Sequence, residues 1–227
     1  MSRAVNRVPR SSALIPAAGL GARLGLGPKC LLRIGQQSLI EIVIGTLQPL
    51  VDEILVAISG GYEREFAEII GDRALIVRGG QTRQDSIANL IDASSGGIIL
   101  IQDAARPFAS RKLCSTVLEA AIQHGAAGAF LDPTVPVGLI EDGKVASYQS
   151  RSQAGIFQAP QAFTREVLVS ARRRIADQEF QSTAQMVIDA GYTLQALPGE
   201  PENIKITTSL DWEIAQRVIA PALGLGK

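Results

Sequence analysis

The feature that most restricts the fold is the alternation of short apolar runs with segments of helical periodicity. Runs such as Ser12–Ala17, Glu53–Ser59 and Gly97–Ile101 have the length of buried strands, and patterns typical of helices separate them. The 227 residues are 46% hydrophobic but only 4% aromatic, so aliphatic side chains and alanine form the core. This pattern predicts an α/β fold, Rossmann-like, with a mostly parallel sheet flanked by helices.

The remaining elements are placed by caps, turns and periodicity. We expect one domain over residues 1–227, because no repeat or long linker divides it, and a loose tail at residues 1–10. Predicted helices span Leu39–Leu47, Glu63–Ile70, Thr82–Ala93, Ser110–His124, Thr164–Ala176, Ser182–Gly191 and Ser209–Val218. Further strands are predicted at Ala74–Val77, Ala126–Leu131 and Thr193–Leu197, with a short extended segment at Asn203–Thr207.

A protruding β-hairpin arm is predicted at about residues 136–151. Asp142-Gly143 is the signal of a two-residue hairpin turn between Val137–Glu141 and Lys144–Gln149. The apolar side chains of the arm would be exposed in a monomer. We therefore expect the arm to cover a partner subunit and to form a homodimer.

The segment Leu14–Lys29 begins as an apolar strand and continues as a loop with glycines at 19, 21, 25 and 27. Glycines let a ligand approach the backbone, and successive N–H groups can bind one anion. Arg23 and Lys29 add positive charge, which favours a nucleoside-triphosphate site over a plain strand-to-helix turn. The segment lacks the third glycine of a dinucleotide fingerprint, because Leu24 stands there, and it lacks a Walker sequence.

Charge is balanced over the whole chain, with 22 basic and 22 acidic residues, but the first acid is Glu41. The local positive charge suits an anionic small molecule and does not suit nucleic acid. No apolar run is long enough to span a membrane, and residues 1–10 lack the apolar core of a secretory signal. Cys30 and Cys114 have no metal-site spacing, so we expect reduced thiols in a cytoplasmic protein.

An α/β sheet binds its ligands beyond the carboxyl ends of its strands. The polar residues that follow the predicted strands at these ends are Gly80–Ser86, Asp103 and Arg106. Asp103 can hold Mg²⁺ bridging phosphate oxygens, and Arg106 can clamp a second anion. A loop-capping ion pair between the two is the alternative. Lys205 is a third cation, although taken alone it is better interpreted as a lysine on an exposed edge.

Classical covalent catalysis is not indicated. His124 is the only histidine and precedes Gly125 at a predicted helix end, where a structural role is favoured. The neighbouring Lys29 could lower the pKa of the Cys30 thiol, but we favour the alternative that Cys30 is a buried structural thiol. Without a nucleophile–histidine set, direct displacement at phosphorus is favoured, in which positioning and charge neutralisation provide the catalysis.

Five motifs, in order along residues 12–218, resemble those of the 2-C-methyl-D-erythritol 4-phosphate cytidylyltransferase family of the non-mevalonate isoprenoid pathway. The resemblance implies a homodimer joined through β-arms that transfers CMP from CTP to the polyol phosphate, with Mg²⁺. The motifs are Ala17-Ala18-Gly19-x-Gly21-x-Arg23 with Pro28-Lys29, Gly79-Gly80-x-x-Arg83-x-x-Ser86, Asp103-Ala104-Ala105-Arg106-Pro107, Pro160-Gln161-x-Phe163 and Asn203-Ile204-Lys205-Ile206-Thr207.

The resemblance also implies residue roles. Arg23, Lys29 and Lys205 match catalytic cations, and Asp103 matches an acid that contacts the metal and the acceptor. Arg106 matches an acceptor contact, and Arg151 matches an arginine that reaches the acceptor phosphate of the neighbouring subunit. The nucleotide-binding positions are Ala17, Ala18, Gly19, Gly21, Gly80, Gln81 and Ser86.

The departures from the family pattern lie mostly on the acceptor side. Gln102 replaces a usual His, Ala159 a usual Thr, and Gln81 a commonly acidic residue. Pro136–Leu139 stand where the arm normally has Asp-Thr-x-Lys, and Gln181-Ser182 stand where Thr-Asp is usual. Weaker or altered acceptor recognition is expected. Two alternatives therefore stay open: a cytidylyltransferase for another polyol phosphate, such as a pentitol phosphate, and a non-catalytic nucleotide-binding paralogue.

Overall fold

The computed structural model describes residues 9–19, 27–175 and 178–225. Its strands are β1 (Ser11–Pro16), β2 (Arg33–Ile34), β3 (Gln37–Ser38), β4 (Glu53–Ile58), β5 (Leu75–Arg78), β6 (Ile98–Ile101), β7 (Ala126–Leu131), β8 (Val137–Glu141), β9 (Lys144–Gln149), β10 (Ile156–Thr164) and β11 (Gln195–Pro198). Its α-helices are α1 (Leu39–Leu47), α2 (Glu63–Ile70), α3 (Arg83–Ala93), α4 (Arg111–His124), α5 (Arg165–Arg174), α6 (Thr183–Asp189), α7 (Ser209–Ile214) and α8 (Ala220–Ala222). A π-helical stretch (Ala215–Ile219) joins the last two, and short 3₁₀ turns lie at Lys29–Leu31 and Arg151–Gln153.

Seven strands form one sheet in the order β11-β7-β10-β6-β1-β4-β5. Six of them run in the same direction, and β10 runs antiparallel between β6 and β7. The mostly parallel sheet flanked by helices is confirmed. The carboxyl ends of β1, β4, β5 and β6 consequently lie along one edge, where polar residues that are distant in sequence meet.

Both faces of the sheet are buried, because alternate side chains of each central strand point to opposite sides. In β6, Ile98 and Leu100 pack into the core that includes α1, α2 and α4, and Ile99 and Ile101 pack into the core that includes α3, α5 and α6. All four are buried. The sequence of this strand is an unbroken apolar run because helices cover both of its faces; a strand buried on one face only would alternate apolar and polar residues.

Local signals locate several helix starts as expected. Thr82 caps α3, and Asp85 closes the predicted capping box. Ser182 caps α6. His124 lies in the last turn of α4 before Gly125, whose φ of 84° favours glycine. A second capping box, between Ser38 and Glu41 at the start of α1, was not predicted.

The short segment Asn203–Thr207 belongs to no helix or strand. Its backbone instead binds groups from elsewhere in the chain. Ile206 N–H donates to Ala105 O at 2.9 Å, and Asn203 O accepts from Arg106 at 2.6 Å. Other differences are shifts at element ends, such as β5 at Leu75–Arg78 and α5 ending at Arg174.

The predicted arm is present as the hairpin β8–β9. Asp142 and Gly143 have φ values of 48° and 73°, as a two-residue turn of this kind requires. Every residue of the two strands is exposed, including Ile140 and Val145 at 62% and 69%. Across the described ranges, no helix combines the length and apolar character needed to cross a membrane.

Candidate active site

Two adjoining cavities open at the carboxyl edge of the sheet. The first, here called the glycine cavity, has a volume of about 230 Å³. The second, the glutamine cavity, has a volume of about 260 Å³. The glycine cavity is lined by Pro16, Ala18, Gly19, Gly80, Gln81, Thr82, Arg83, Ser86, Asp103, Ala104, Ala105 and Lys205. The glutamine cavity is lined by Arg83, Ile101, Asp103, Arg106, Phe157, Gln158, Ala159, Gln161, Gln181, Ser182, Gln185 and Lys205.

Arg83, Asp103 and Lys205 line both cavities and form their common wall. Arg83 Nη2 lies 3.1 Å from Asp103 Oδ1, and Lys205 Nζ lies 2.9 Å from Oδ2. Arg106 Nε approaches the same Oδ2 at 3.7 Å. Three basic side chains thus surround one carboxylate, and this group, here called the cation cluster, has a formal charge of +2.

The electrostatics of the cluster keep Asp103 ionised. Burial alone would raise the pKa of its carboxyl, whose side chain is only 13% exposed. The positive charges of Arg83 and Lys205 outweigh that effect and hold the Asp103 pKa at about 2. Burial lowers the pKa of Arg106, opposed by the charge of Asp103. The net positive charge at the shared wall suits ligands that carry phosphate groups.

The Gly79-Gly80 turn after β5 lies too close to its neighbours for any larger residue. A Cβ on Gly80 would lie 2.1 Å from Asp85 Cβ, and one on Gly79 would lie 2.5 Å from Ala18 Cβ. Gly80 N–H donates to Ser86 Oγ at 3.0 Å, and that hydroxyl donates to Thr82 O at 2.9 Å. The turn and the start of α3 therefore form one fixed wall of the glycine cavity.

Lys29 lies on the short 3₁₀ turn after the glycine-rich segment. Its Nζ donates to Ile206 O and to Thr207 O, each at 3.4 Å. Asp211 accepts from Thr207 N–H at 2.8 Å and from Thr208 N–H at 2.7 Å. Burial would raise the Asp211 pKa, but these hydrogen bonds and the charge of Lys29 lower it. The segment that carries Lys205 is therefore also the segment that holds Lys29.

The other predicted site residues are placed as follows. Ala17 is buried between Pro16 and Ala18, which line the glycine cavity, and its N–H donates to Ala57 O at 2.8 Å. Arg106 lies in the glutamine cavity. In the part of the chain that the structure describes, Arg151 is exposed and lines neither cavity. Gly21 and Arg23 lie outside the described residues.

Arg83 received no role from the sequence, although it occurs in a recognised motif. A signal was present, because Arg83 is the first residue of α3 and the positive end of the helix dipole disfavours a cation there. The carboxylate of Asp103 compensates for that position. Asp211 was likewise missed, since its capping box at the start of α7 was not recognised in the sequence.

Two residues weighed in the sequence have structural surroundings. Burial raises the pKa of Cys30 to about 12, so the alternative of an activated thiol beside Lys29 is wrong. Gln102 is buried, and its Nε2 donates to Arg106 O at 2.9 Å, where it supports the backbone of the site.

A third and larger cavity, of about 420 Å³, lies on the far side of Arg83 between α3 and α6. Its floor is apolar and includes Ile87, Ile91 and Met186. Thr82, Arg83, Gln84 and Asp85 from the predicted Gly80–Ser86 stretch line it, but Asp103, Arg106 and Lys205 do not. We therefore assign the chemistry to the two smaller cavities, where the cation cluster lies.

Comparison with known proteins agrees with this geometry. The family model described as 2-C-methyl-D-erythritol 4-phosphate cytidylyltransferase matches residues 12–220. The enzyme of that name from Deinococcus radiodurans is 35% identical over 210 residues, which cover 92% of this chain and 89% of the relative. The one from Thermus thermophilus is 37% identical over 209 residues, covering 90% and 95%.

The crystal structure of the cytidylyltransferase from Thermus thermophilus superposes with a TM-score of 0.79 at 34% identity, covering 92% of this chain and 98% of that one. The sequence match, the sheet and the motif residues around the cation cluster all support the same family assignment. This chain belongs to the 2-C-methyl-D-erythritol 4-phosphate cytidylyltransferase family.

Proposed function

We propose that this protein transfers the cytidylyl group of CTP to 2-C-methyl-D-erythritol 4-phosphate and releases pyrophosphate, a step of isoprenoid precursor synthesis. The observation that carries the proposal is the pair of cavities with one common wall of positive charge. A transferase needs two substrates whose reacting groups meet, and here both groups are phosphates. Of the two alternatives, neither the pentitol phosphate enzyme nor the non-catalytic paralogue is favoured by the family match.

The glycine cavity is the site proposed for CTP. The close packing of the Gly79-Gly80 turn and its hydrogen bond to Ser86 make one wall of this cavity rigid, and we propose that this wall selects a pyrimidine over a purine. The phosphates would then extend from this cavity toward Lys205 and Lys29. The glutamine cavity, which holds Arg106, is left for the polyol phosphate.

The reaction proceeds by direct displacement. An oxygen of the acceptor phosphate forms a bond to the α-phosphorus of CTP, the bond from that phosphorus to the bridging oxygen breaks, and pyrophosphate leaves with the electron pair. The protein's contribution is to hold two anions together, which would otherwise repel each other, and to stabilise the charge that develops on the transferring group. Lys205, Lys29 and the arginines of the cluster are the described groups suited to that role. Arg23 is proposed to act with them.

The described residues do not fit a Mg²⁺ ion bound by the protein alone. Both oxygens of Asp103 face cations, at 3.1 Å from Arg83 and 2.9 Å from Lys205, and the cluster is already positive. No group of three His, Cys, Asp or Glu suited to a metal occurs within the described ranges. We therefore propose that Mg²⁺ arrives bound to the triphosphate, as is common for this ion, and we assign no metal-binding role to Asp103.

A homodimer through the arm at about residues 136–151 remains part of the proposal. It is supported by the apolar side chains that β8 and β9 leave exposed, such as Leu139 at 46% and Tyr148 at 72%. Arg151, at the end of the arm, would then contribute to the partner's site. Cytoplasmic location is proposed because Cys30 and Cys114 are buried and unpaired.

The decisive experiment measures pyrophosphate release from CTP with a panel of acceptors that includes methylerythritol phosphate, erythritol phosphate and a pentitol phosphate. We expect turnover with methylerythritol phosphate and a strong preference for CTP over ATP, GTP and UTP. The Lys29→Ala protein, purified in the same way, is the control for contaminating activity.

Two outcomes would overturn the proposed activity. Release with the pentitol phosphate alone would assign the enzyme to a different acceptor. Equal turnover of ATP and CTP would show that the glycine cavity does not select the base. The role of the arm is tested separately, because light scattering that shows an active monomer at micromolar concentration would reject it.

A further inference from the structure

Most hydrogen-bonding groups in the glutamine cavity are already engaged by the protein. Gln161 donates through Nε2 to Gln158 O at 3.3 Å and accepts through Oε1 from Ala184 N–H at 3.0 Å. The side chain of Gln158 donates to Glu200 O at 3.0 Å and accepts from Glu200 N–H at 3.1 Å. These two amides stabilise the wall of the cavity, and both ends of each amide are already hydrogen-bonded within the protein rather than available to a ligand.

Gln185 differs from them because only one end of its amide is engaged. Its Oε1 accepts from the backbone N–H of Gln181 at 3.0 Å. A backbone N–H only donates, so the contact itself identifies the accepting atom as oxygen and the other end of the amide as the NH₂ group. Among the described residues, that NH₂ group donates to nothing.

The position of Gln185 is also fixed by the fold. It is the third residue of α6, and its backbone N–H donates to the capping Ser182 Oγ at 3.0 Å. The side chain is therefore held from both ends, by the helix cap at its backbone and by Gln181 at its oxygen. A donor group held in this way loses little conformational freedom when a ligand binds.

The rest of the cavity wall determines what this group can contact. Arg106 and Lys205 supply the charges for a phosphate, and Ala159 and Phe157 supply apolar surface. A polyol phosphate also brings hydroxyl groups, which need partners when they leave water. Gln185 is the described residue of this wall that offers a rigid, uncharged and unengaged N–H donor.

We propose that the side-chain amide of Gln185 donates a hydrogen bond to a hydroxyl group of the acceptor polyol and thereby determines acceptor specificity. This inference rests on the proposed function, since it takes the glutamine cavity to be the acceptor site. It assigns to Gln185 the discrimination between an acceptor that carries the hydroxyl group and one that lacks it.

The test compares wild-type protein with Gln185→Leu and Gln185→Glu, using methylerythritol phosphate and analogues that each lack one hydroxyl group. Leucine removes the donor, and glutamate keeps an oxygen for the Gln181 N–H but replaces the NH₂ group by a second acceptor. For wild type, we expect one deoxy analogue to lose roughly 10- to 100-fold in kcat/KM. For both variants, we expect the full acceptor to lose a similar factor and the discrimination against that analogue to disappear.

The KM for CTP separates specificity from general damage, and it should change by less than about threefold in both variants. If Gln185→Leu fails to fold, Gln185→Glu still provides the comparison. Discrimination equal to wild type in the variants, or a KM for CTP that rises as much as the acceptor KM, would overturn the inference alone. A wild-type protein inactive with every polyol phosphate would overturn the proposed function and this inference with it.

Discussion

Replacing Asp103 by asparagine tests the cation cluster directly, because the change keeps the shape of the side chain and removes its charge. Arg83, Arg106 and Lys205 would then face one another without a counter-ion. We expect the variant to be less stable than wild type near neutral pH, and the difference to shrink in acid.

The magnitude follows from the pKa of Asp103, which falls from an ordinary 3.8 to about 2 in the folded protein. Such a difference between the folded and unfolded states is worth about 2.5 kcal/mol of unfolding free energy at pH 7. Water screens part of this attraction, because the side chains of Arg83 and Lys205 are 35% and 45% exposed. We therefore expect a loss of about 2 kcal/mol.

The sign of the pH dependence is fixed by the direction of the shift. A carboxyl whose pKa is lowered by folding stabilises the protein fully above its unfolded pKa, and this contribution disappears as the pH falls through the folded value. The difference between wild type and Asp103→Asn should thus be full at about pH 6, about half at pH 3 and small at pH 2.

Urea unfolding of both proteins across this pH range measures the effect. Asp92→Asn is the matched control, because Asp92 also pairs with an arginine, Arg172, at 3.2 Å, but is 67% exposed. That change should cost less than about 0.5 kcal/mol. A loss near zero for Asp103→Asn at pH 7, or a loss that stays constant between pH 7 and pH 3, would refute the reasoning.

The same variant distinguishes the two roles considered for Asp103. Removing the carboxylate raises the formal charge of the cluster from +2 to +3, so the KM for CTP should fall or stay unchanged if Asp103 only organises the cations. If Asp103 held the magnesium ion, the KM for the magnesium complex of CTP would rise instead.

Three further outcomes are expected. Lys29→Ala should lower kcat by roughly 10²–10³-fold with a smaller effect on stability, because it removes a charge that we propose stabilises the transferring phosphate; a change below about threefold in steady-state kinetics would contradict this. Gly80→Ala should raise the KM for CTP by at least about tenfold, since its methyl group would overlap Asp85 Cβ; unchanged CTP titrations would show that the turn is not part of the site. Cys30, whose pKa burial raises to about 12, should react with iodoacetamide at pH 8 at least about 100 times more slowly in native than in unfolded protein, as mass spectrometry would show.

Features that depend on neighbouring residues were predictable from the sequence. The capping box of Thr82 and Asp85 and the hairpin turn at Asp142-Gly143 each need only a few adjacent residues, and both are present as expected. The buried strands were also predictable, because short apolar runs that alternate with helical patterns are typical of the strands of a buried sheet.

Features that depend on the arrangement of the strands were not predictable in this way. Spacing in the sequence paired Asp103 with Arg106, yet Arg106 is its most distant basic partner, at 3.7 Å. The closer partners, Arg83 and Lys205, come from α3 and from a segment near the end of the chain. Their meeting depends on which strands are neighbours, and a single sequence carries no local signal for that.

The position of β10 has a consequence for how the chain acquires its structure. Strands β1, β4 and β5 find all their partners within residues 11–101, so this part of the sheet can form early during synthesis. β7 has no partner until β10 and β11 have been made, and the free side of β6 also waits for β10. Both edges of β7 and one edge of β6 therefore stay open while the arm is synthesised, which slows folding and makes this interval the time of greatest exposure to wrong pairing and aggregation.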